Sequence, residues 1–152
     1  MKTIITVLFF TIAILACNQS PTNTTNNNVK APVDSLITNW ENNWNKHDSA
    51  GVRNMFLEDA ILVDDNLITA TADEFSKKWI HPGIKVVNNI KSTKLQEWSE
   101  SNRAGYVGKY TLDVVMKDTV VAKGEGVYCV NWLKTDKGGW KITSAVIHSF
   151  KK

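Results

Sequence analysis

The sequence predicts an α+β fold over residues 33–150, with helices first and then a bent sheet that they cover. Three observations predict it. Apolar residues recur at helical spacing from Val33 to Trp44, the period changes to two from about residue 84, and Asp136-Lys137-Gly138-Gly139 breaks the later alternation as a hairpin turn. The composition agrees. A chain of 152 residues that is 43% hydrophobic with three prolines is neither disordered nor collagen-like, and it has room for one full-sized domain. Its 18 Lys and Arg against 15 Asp and Glu form no dense basic cluster, so nucleic acid is not an expected partner.

Val33, Ile37, Trp40 and Trp44 form one helix face, widened by Leu36, against Asp34, Thr38, Asn42 and Asn45 on the other. Pro32 suits the first turn, where its missing N–H would have no helical partner anyway. Asp48 is placed to cap a second, shorter helix holding Val52, Met55 and Phe56. Ala60-Ile61-Leu62-Val63, bounded by acidic residues, is short enough to be a strand. Thr71 and Glu74 have capping-box spacing and open a third helix with Phe75, Lys78 and Trp79 on one face; His81-Pro82-Gly83 is expected to stop it. Beyond it, Ser101-Asn102 reads as a turn, and Tyr106, Gly108, Tyr110, Leu112 and Val114 point one way. A long strand spans roughly 121–133. Trp140, Ile142, Ser144, Val146, His148 and Phe150 are expected to share one face of the closing strand.

The first residues read as a leader. Lys2 precedes an apolar run over residues 4–16, which is short for a membrane span and right for a signal peptide. The run stops at Ala16-Cys17, which resembles a bacterial lipobox. Residues 1–16 would then be removed, Cys17 lipidated, and residues 17–32 left as a polar tether too poor in apolar side chains to order itself. The expected location is the bacterial cell envelope, with the membrane as partner through Cys17 and the domain facing the periplasm or the outside. Cys129 then has no partner and is expected as a buried structural thiol.

Phe56-Leu57-Glu58-Asp59-Ala60 followed by a strand and Asp64, then Gly124 and Gly126, Tyr128-Cys129-Val130-Asn131-Trp132 and Gly139-Trp140-Lys141-Ile142, form an ordered set. Over residues 33–150 that set resembles the nuclear-transport-factor-2-like superfamily, especially its SnoaL-like and DUF4440-type members. The resemblance implies a cone-shaped, strongly bent mixed or antiparallel sheet covered by about three N-terminal helices, with a hydrophobic cavity at the open end. It also implies a homodimer formed across the sheet. Ketosteroid isomerase, which this chain resembles from Phe56 to Asp64, has its general-base aspartate at the position of Asp64.

A carboxylate at a strand end facing an apolar cavity would have a raised pKa and could move a proton beside a carbonyl. Asp65 has an equal claim to that position, and with Asn66 following, the pair reads more readily as a solvated strand end. His148 is the second candidate for catalysis, beside its reading as a satisfied, partly buried histidine. Such chemistry also needs a donor that stabilises an enolate. In the isomerase a tyrosine on the first helix does this; this first helix offers Trp40 and Trp44, leaving Tyr106, Tyr110, Tyr128 and His148 as donors. Trp44, Asp65, Tyr128 and Trp132 are the candidate ligand contacts. Tyr128 and Trp132 share a strand face, which is either the cavity side or the opposite one. Three scattered histidines give no metal site, and no glycine-rich phosphate loop points to a cofactor. Two functions remain: binding of a small apolar ligand or a protein partner, favoured because the electrophile is missing, and a cofactor-independent isomerase, dehydratase or cyclase using Asp64 or Asp65 with His148.

Overall fold

The computed structural model describes residues 30–150, so the expected leader, Cys17 and most of the tether lie outside the described residues. Helix α1 (Val33–Asn45) buries Val33, Ile37, Trp40 and Trp44, the stripe that its spacing predicts. Helix α2 (Ser49–Asn54) starts at Asp48, whose Oδ1 accepts the Gly51 N–H at 2.8 Å. Met55 ends that helix and Phe56 already belongs to β1 (Phe56–Asp64), which pairs with the short β2 (Leu67–Thr69). Thr71 Oγ1 then accepts the Glu74 N–H at 3.2 Å and opens α3 (Ala72–Phe75).

Pro82 does not stop this third helix. The chain passes through a π-helical turn (Ser76–Ile80) into α4 (His81–Gly83). There the His81 N–H bonds to the Ser76 carbonyl, five residues back. The wider turn shifts the carbonyls before Pro82, so its missing N–H breaks no regular ladder.

Four long strands follow: β3 (Val87–Ser99), β4 (Arg103–Met116), β5 (Thr119–Lys134) and β6 (Trp140–Ser149). The six strands lie in the order β2-β1-β6-β5-β4-β3. All neighbours are antiparallel except β1 and β6, which run parallel. The helices are therefore not all N-terminal to the sheet: β1 and β2 come before the third helical segment.

The expected strongly bent cone is corrected here. The sheet is open, with β2 and β3 as separate edges, and is neither closed nor strongly curled. A physical reason is visible on both edges. β2 has three residues, too few to pair along a partner of 13. On β3, α1 takes the place of a further strand. Asn45 donates to the Ile90 carbonyl at 3.1 Å and accepts the Ile90 N–H at 2.8 Å, and Glu41 accepts the Ser92 N–H at 2.5 Å. These backbone groups would otherwise invite another strand. Asn45 is thus an edge cap rather than a purely solvent-facing residue.

A bulge resets the closing strand. Asn131 pairs with Ser144 and Trp132 with Ile142, so Thr143 is an extra residue. Ile142 is buried, but after the bulge Ala145 and Ile147 are the buried residues, while Val146 and His148 are exposed. The expected single face from Trp140 to Phe150 does not form. Cys129 is half-buried on the outward side of β5, between the buried Tyr128 and Val130.

Candidate functional site

The helical cap and the inner sheet face meet in an aromatic cluster. Trp44 meets Trp79 edge to face at 4.9 Å, and Trp40 stacks on Trp79 at 6.2 Å. Phe75 stacks on the other side of this group, 4.8 Å from Trp79 and 4.7 Å from Phe56. The π-helical turn is what presents Trp79 here, and Gly83 lets the next turn pass close to Trp44, whose ring lies 3.3 Å from where a Cβ would stand.

Beside the cluster lies a cavity of about 300 Å³. Trp40, Trp44 and Trp79 wall its helical side. Tyr110, Leu112, Tyr128, Val130, Ala145 and Ile147 wall its sheet side. Such a volume is at the lower end of the roughly 300–1,000 Å³ of ligand pockets.

Asp64 is the carboxylate on this wall. Its Oδ2 accepts the Trp79 indole N–H at 2.5 Å, while its Oδ1 is buried with no hydrogen-bond partner. Burial raises its pKa above 3.8, the Trp79 hydrogen bond pulls it back in part, and the negative charge of Asp65 adds to the rise. Trp44 Nε1 is likewise buried without a partner. The tyrosine hydroxyls are engaged within the protein: Tyr110 pairs with Ser149 at 2.9 Å, and Tyr128 donates to Ser92 at 2.7 Å. Burial raises the pKa of both phenols, so both stay protonated at ordinary pH.

The structure brings Trp44, Asp64 and Tyr128 to one cavity. Trp132 shares the inward face of β5 with Tyr128 and is buried in the core, outside the cavity lining. Asp65 and His148 lie away from the lining. Asp65 follows β1 at φ +47°, and its Oδ1 takes the His148 Nδ1 at 2.8 Å and the Ser149 N–H at 3.3 Å. Partial burial pushes this carboxyl up, but the Ser149 N–H and His148 outweigh it and hold its pKa below 3.8. Asp64 and His148 therefore stand on opposite faces and do not form a pair. The sequence shows Trp79 only as part of a helix face; nothing in the spacing announces its bond to a residue 15 positions earlier. Among the described residues, no cluster of three or more His, Cys, Asp or Glu side chains could hold a metal ion.

No family model matches this chain, and no curated protein matches it. Solved structures do. A protein of unknown function from Shewanella oneidensis, described as NTF-2 like, superposes with a TM-score of 0.65 at 19% identity, over 76% of this chain and 95% of its own. A ketosteroid isomerase-like protein from Erwinia carotovora atroseptica gives a TM-score of 0.67 at 12% identity, over 79% of this chain and 95% of its own. A nuclear transport factor 2-like superfamily protein from Salmonella enterica gives 0.66 at 12% identity, over 79% of this chain and 89% of its own. At such identities the likeness establishes the fold alone, and the chain described here has the fold shared by nuclear-transport-factor-2-like and ketosteroid-isomerase-like proteins.

Proposed function

We propose that this domain binds a small, largely apolar molecule in the cavity between α1, the π-helical turn and the inner sheet face. The observation that carries this reading is the cavity of about 300 Å³ walled by Trp40, Trp44, Trp79, Tyr110 and Tyr128, with Asp64 as its carboxylate. Apolar walls with a few fixed polar groups are the usual composition of a ligand site. The test is tryptophan emission. Uncharged aromatic probes should quench it saturably, and Trp44→Ala should weaken that binding. Quenching that stays linear with probe concentration, and is unchanged in Trp44→Ala, would overturn the reading.

A second reading rests on Asp64 as a general base. Its support is a carboxylate with a raised pKa on an apolar cavity wall. Against it, the nearby phenols are spent on Ser149 and Ser92, and His148 faces away. Asp64→Asn should abolish turnover of an enolisable ketone while keeping its binding, if this reading holds.

We further propose, from the run ending at Ala16-Cys17, that lipid on Cys17 tethers the domain to the cell envelope. Cys17→Ser should move the protein out of the membrane fraction, and mass spectrometry should find acyl chains on the parent alone. The kinship to SnoaL-like and DUF4440-type proteins is inferred from the motifs around Gly124, Tyr128 and Trp140. A homodimer is inferred from the outer sheet face, where Ile61 and Val146 are about half exposed. Val146→Lys should make a dimer dissociate in sedimentation.

A further inference from the structure

The charge inside the cavity selects among ligands. Asp64 places a carboxylate on the wall, satisfied at one oxygen by Trp79 and unpartnered at the other. The groups that face it do not neutralise it. Asp65, next along the chain, adds negative charge; Trp79 and Tyr110 are neutral. Lys78, which reaches the cavity from the π-helical turn, is exposed and ion-paired with Glu74. The same cavity is walled by the rings of Trp40, Trp44, Trp79, Tyr110 and Tyr128. Aromatic rings attract cations through their electron-rich faces, most strongly where water is excluded. A neutral guest leaves the carboxylate uncompensated, and an anion is repelled by it.

We propose that the cavity selects a small organic cation, a substituted ammonium whose alkyl groups meet the tryptophan and tyrosine rings while its charge faces Asp64. This rests on the reading of the cavity as a ligand site and names the chemical class that the site takes. Bound cation also holds Asp64 ionised, so binding and deprotonation of Asp64 support each other.

The test compares choline with 3,3-dimethylbutan-1-ol, its uncharged carbon isostere, by calorimetric titration of the full chain. Choline is expected to bind at least about tenfold more tightly than the alcohol, a preference of about 1.4 kcal/mol that a desolvated cation–π contact can supply. Asp64→Asn should remove most of that preference, by weakening choline and by sparing the alcohol an uncompensated carboxylate. Lowering the pH until Asp64 protonates should do the same to the unaltered protein, which keeps the test independent of whether the variant folds. Equal or tighter binding of the alcohol overturns the cation assignment and leaves the ligand site standing. No binding of choline, the alcohol or uncharged aromatic probes overturns both.

Discussion

Trp79 donates its indole N–H to Oδ2 of Asp64 at 2.5 Å, joining the π-helical turn to the end of β1. Among the described residues, this is the carboxylate's hydrogen bond, and its other oxygen is buried and unpaired. It fixes the carboxylate against the cavity wall and, at the same time, fixes the plane of a ring that touches Phe75 and Trp44. Trp79→Phe keeps most of those ring contacts and deletes the donor. The loss should be about 1.5–3 kcal/mol at neutral pH, the range for a hydrogen bond to a charged group. It should shrink in acid, where Asp64 carries a proton and no longer depends on the donor as an anion. Urea titrations at pH 7 and in acid check this; an equal loss at both would mean that only packing was removed.

Asp64 and Asp65 are neighbours with opposite shifts. Burial raises the first above 3.8; desolvation also pushes the second up, but the Ser149 N–H and His148 together outweigh it and lower it below 3.8. Carboxyl-detected NMR titration should therefore show Asp64 protonating first as the pH falls. The linkage signs follow. A raised folded-state pKa means that the native state binds the Asp64 proton more tightly than the unfolded chain does. Its contribution to stability is thus most favourable below the unfolded pKa and is lost as pH rises through the folded one. Asp65 contributes above its unfolded pKa and loses that contribution as pH falls through the lowered one. Asp64→Asn should accordingly raise stability at neutral pH, by roughly 0.5–2 kcal/mol, and the gain should vanish in acid. A variant less stable than its parent at pH 7 would show that the ionised carboxylate is a structural asset.

These relationships separate what the sequence states from what it leaves open. The stripe of α1 was legible because helical spacing is a local property and nothing later in the chain alters it. The Asp48 and Thr71 caps were legible for the same reason, since each bonds a group three residues away. Asp64 could be placed at a strand end, but its partner could not, because the Asp64–Trp79 bond depends on where a π-helical turn sets Trp79. A single residue of register decides which face His148 takes. The bulge at Thr143 turns Ala145 and Ile147 inward, and both alternations from Ile142 onward are apolar enough to satisfy a period of two. The open sheet was hidden in the same way. That Asn45 and Glu41 would occupy the edge of β3 depends on contacts 45 and 51 residues apart in the chain.

Trp40 and Trp44 provide a test of how far the cavity weakens the core beside it. They are 6% and 2% exposed, and their rings meet at 5.8 Å. Truncating a buried tryptophan to alanine costs about 3–5 kcal/mol. Trp40→Ala should fall in that range, since its ring also packs against Phe56 at 6.0 Å. Trp44→Ala should cost about the same and also enlarge the cavity, so its ligand binding should fall even when the protein is fully folded. Chemical denaturation of both variants, with probe binding measured under native conditions, separates the two effects. A loss below about 1 kcal/mol for either would place that ring outside the load of the core.

Gly126 and Gly138 are glycines for different reasons, and the difference can be measured. At Gly126 a Cβ would stand 2.2 Å from the His148 carbonyl oxygen and 2.7 Å from the Tyr110 ring. The first contact is backbone of β6, and the second is a ring held by its bond to Ser149, so neither neighbour can yield without loss. Gly126→Ala should therefore pry β5 from β6, move Tyr110 off the cavity wall, and cost about 1–3 kcal/mol as an overpacked site does. Gly138 has open space around it but sits at φ +83° in the turn before β6. Gly138→Ala should cost about 1–2 kcal/mol through backbone strain alone. Stability should fall in both variants, but ligand binding should weaken only in Gly126→Ala, because only that change reaches Tyr110. Equal binding in the two, measured by the same tryptophan quenching titration, would mean that Tyr110 is not part of the site.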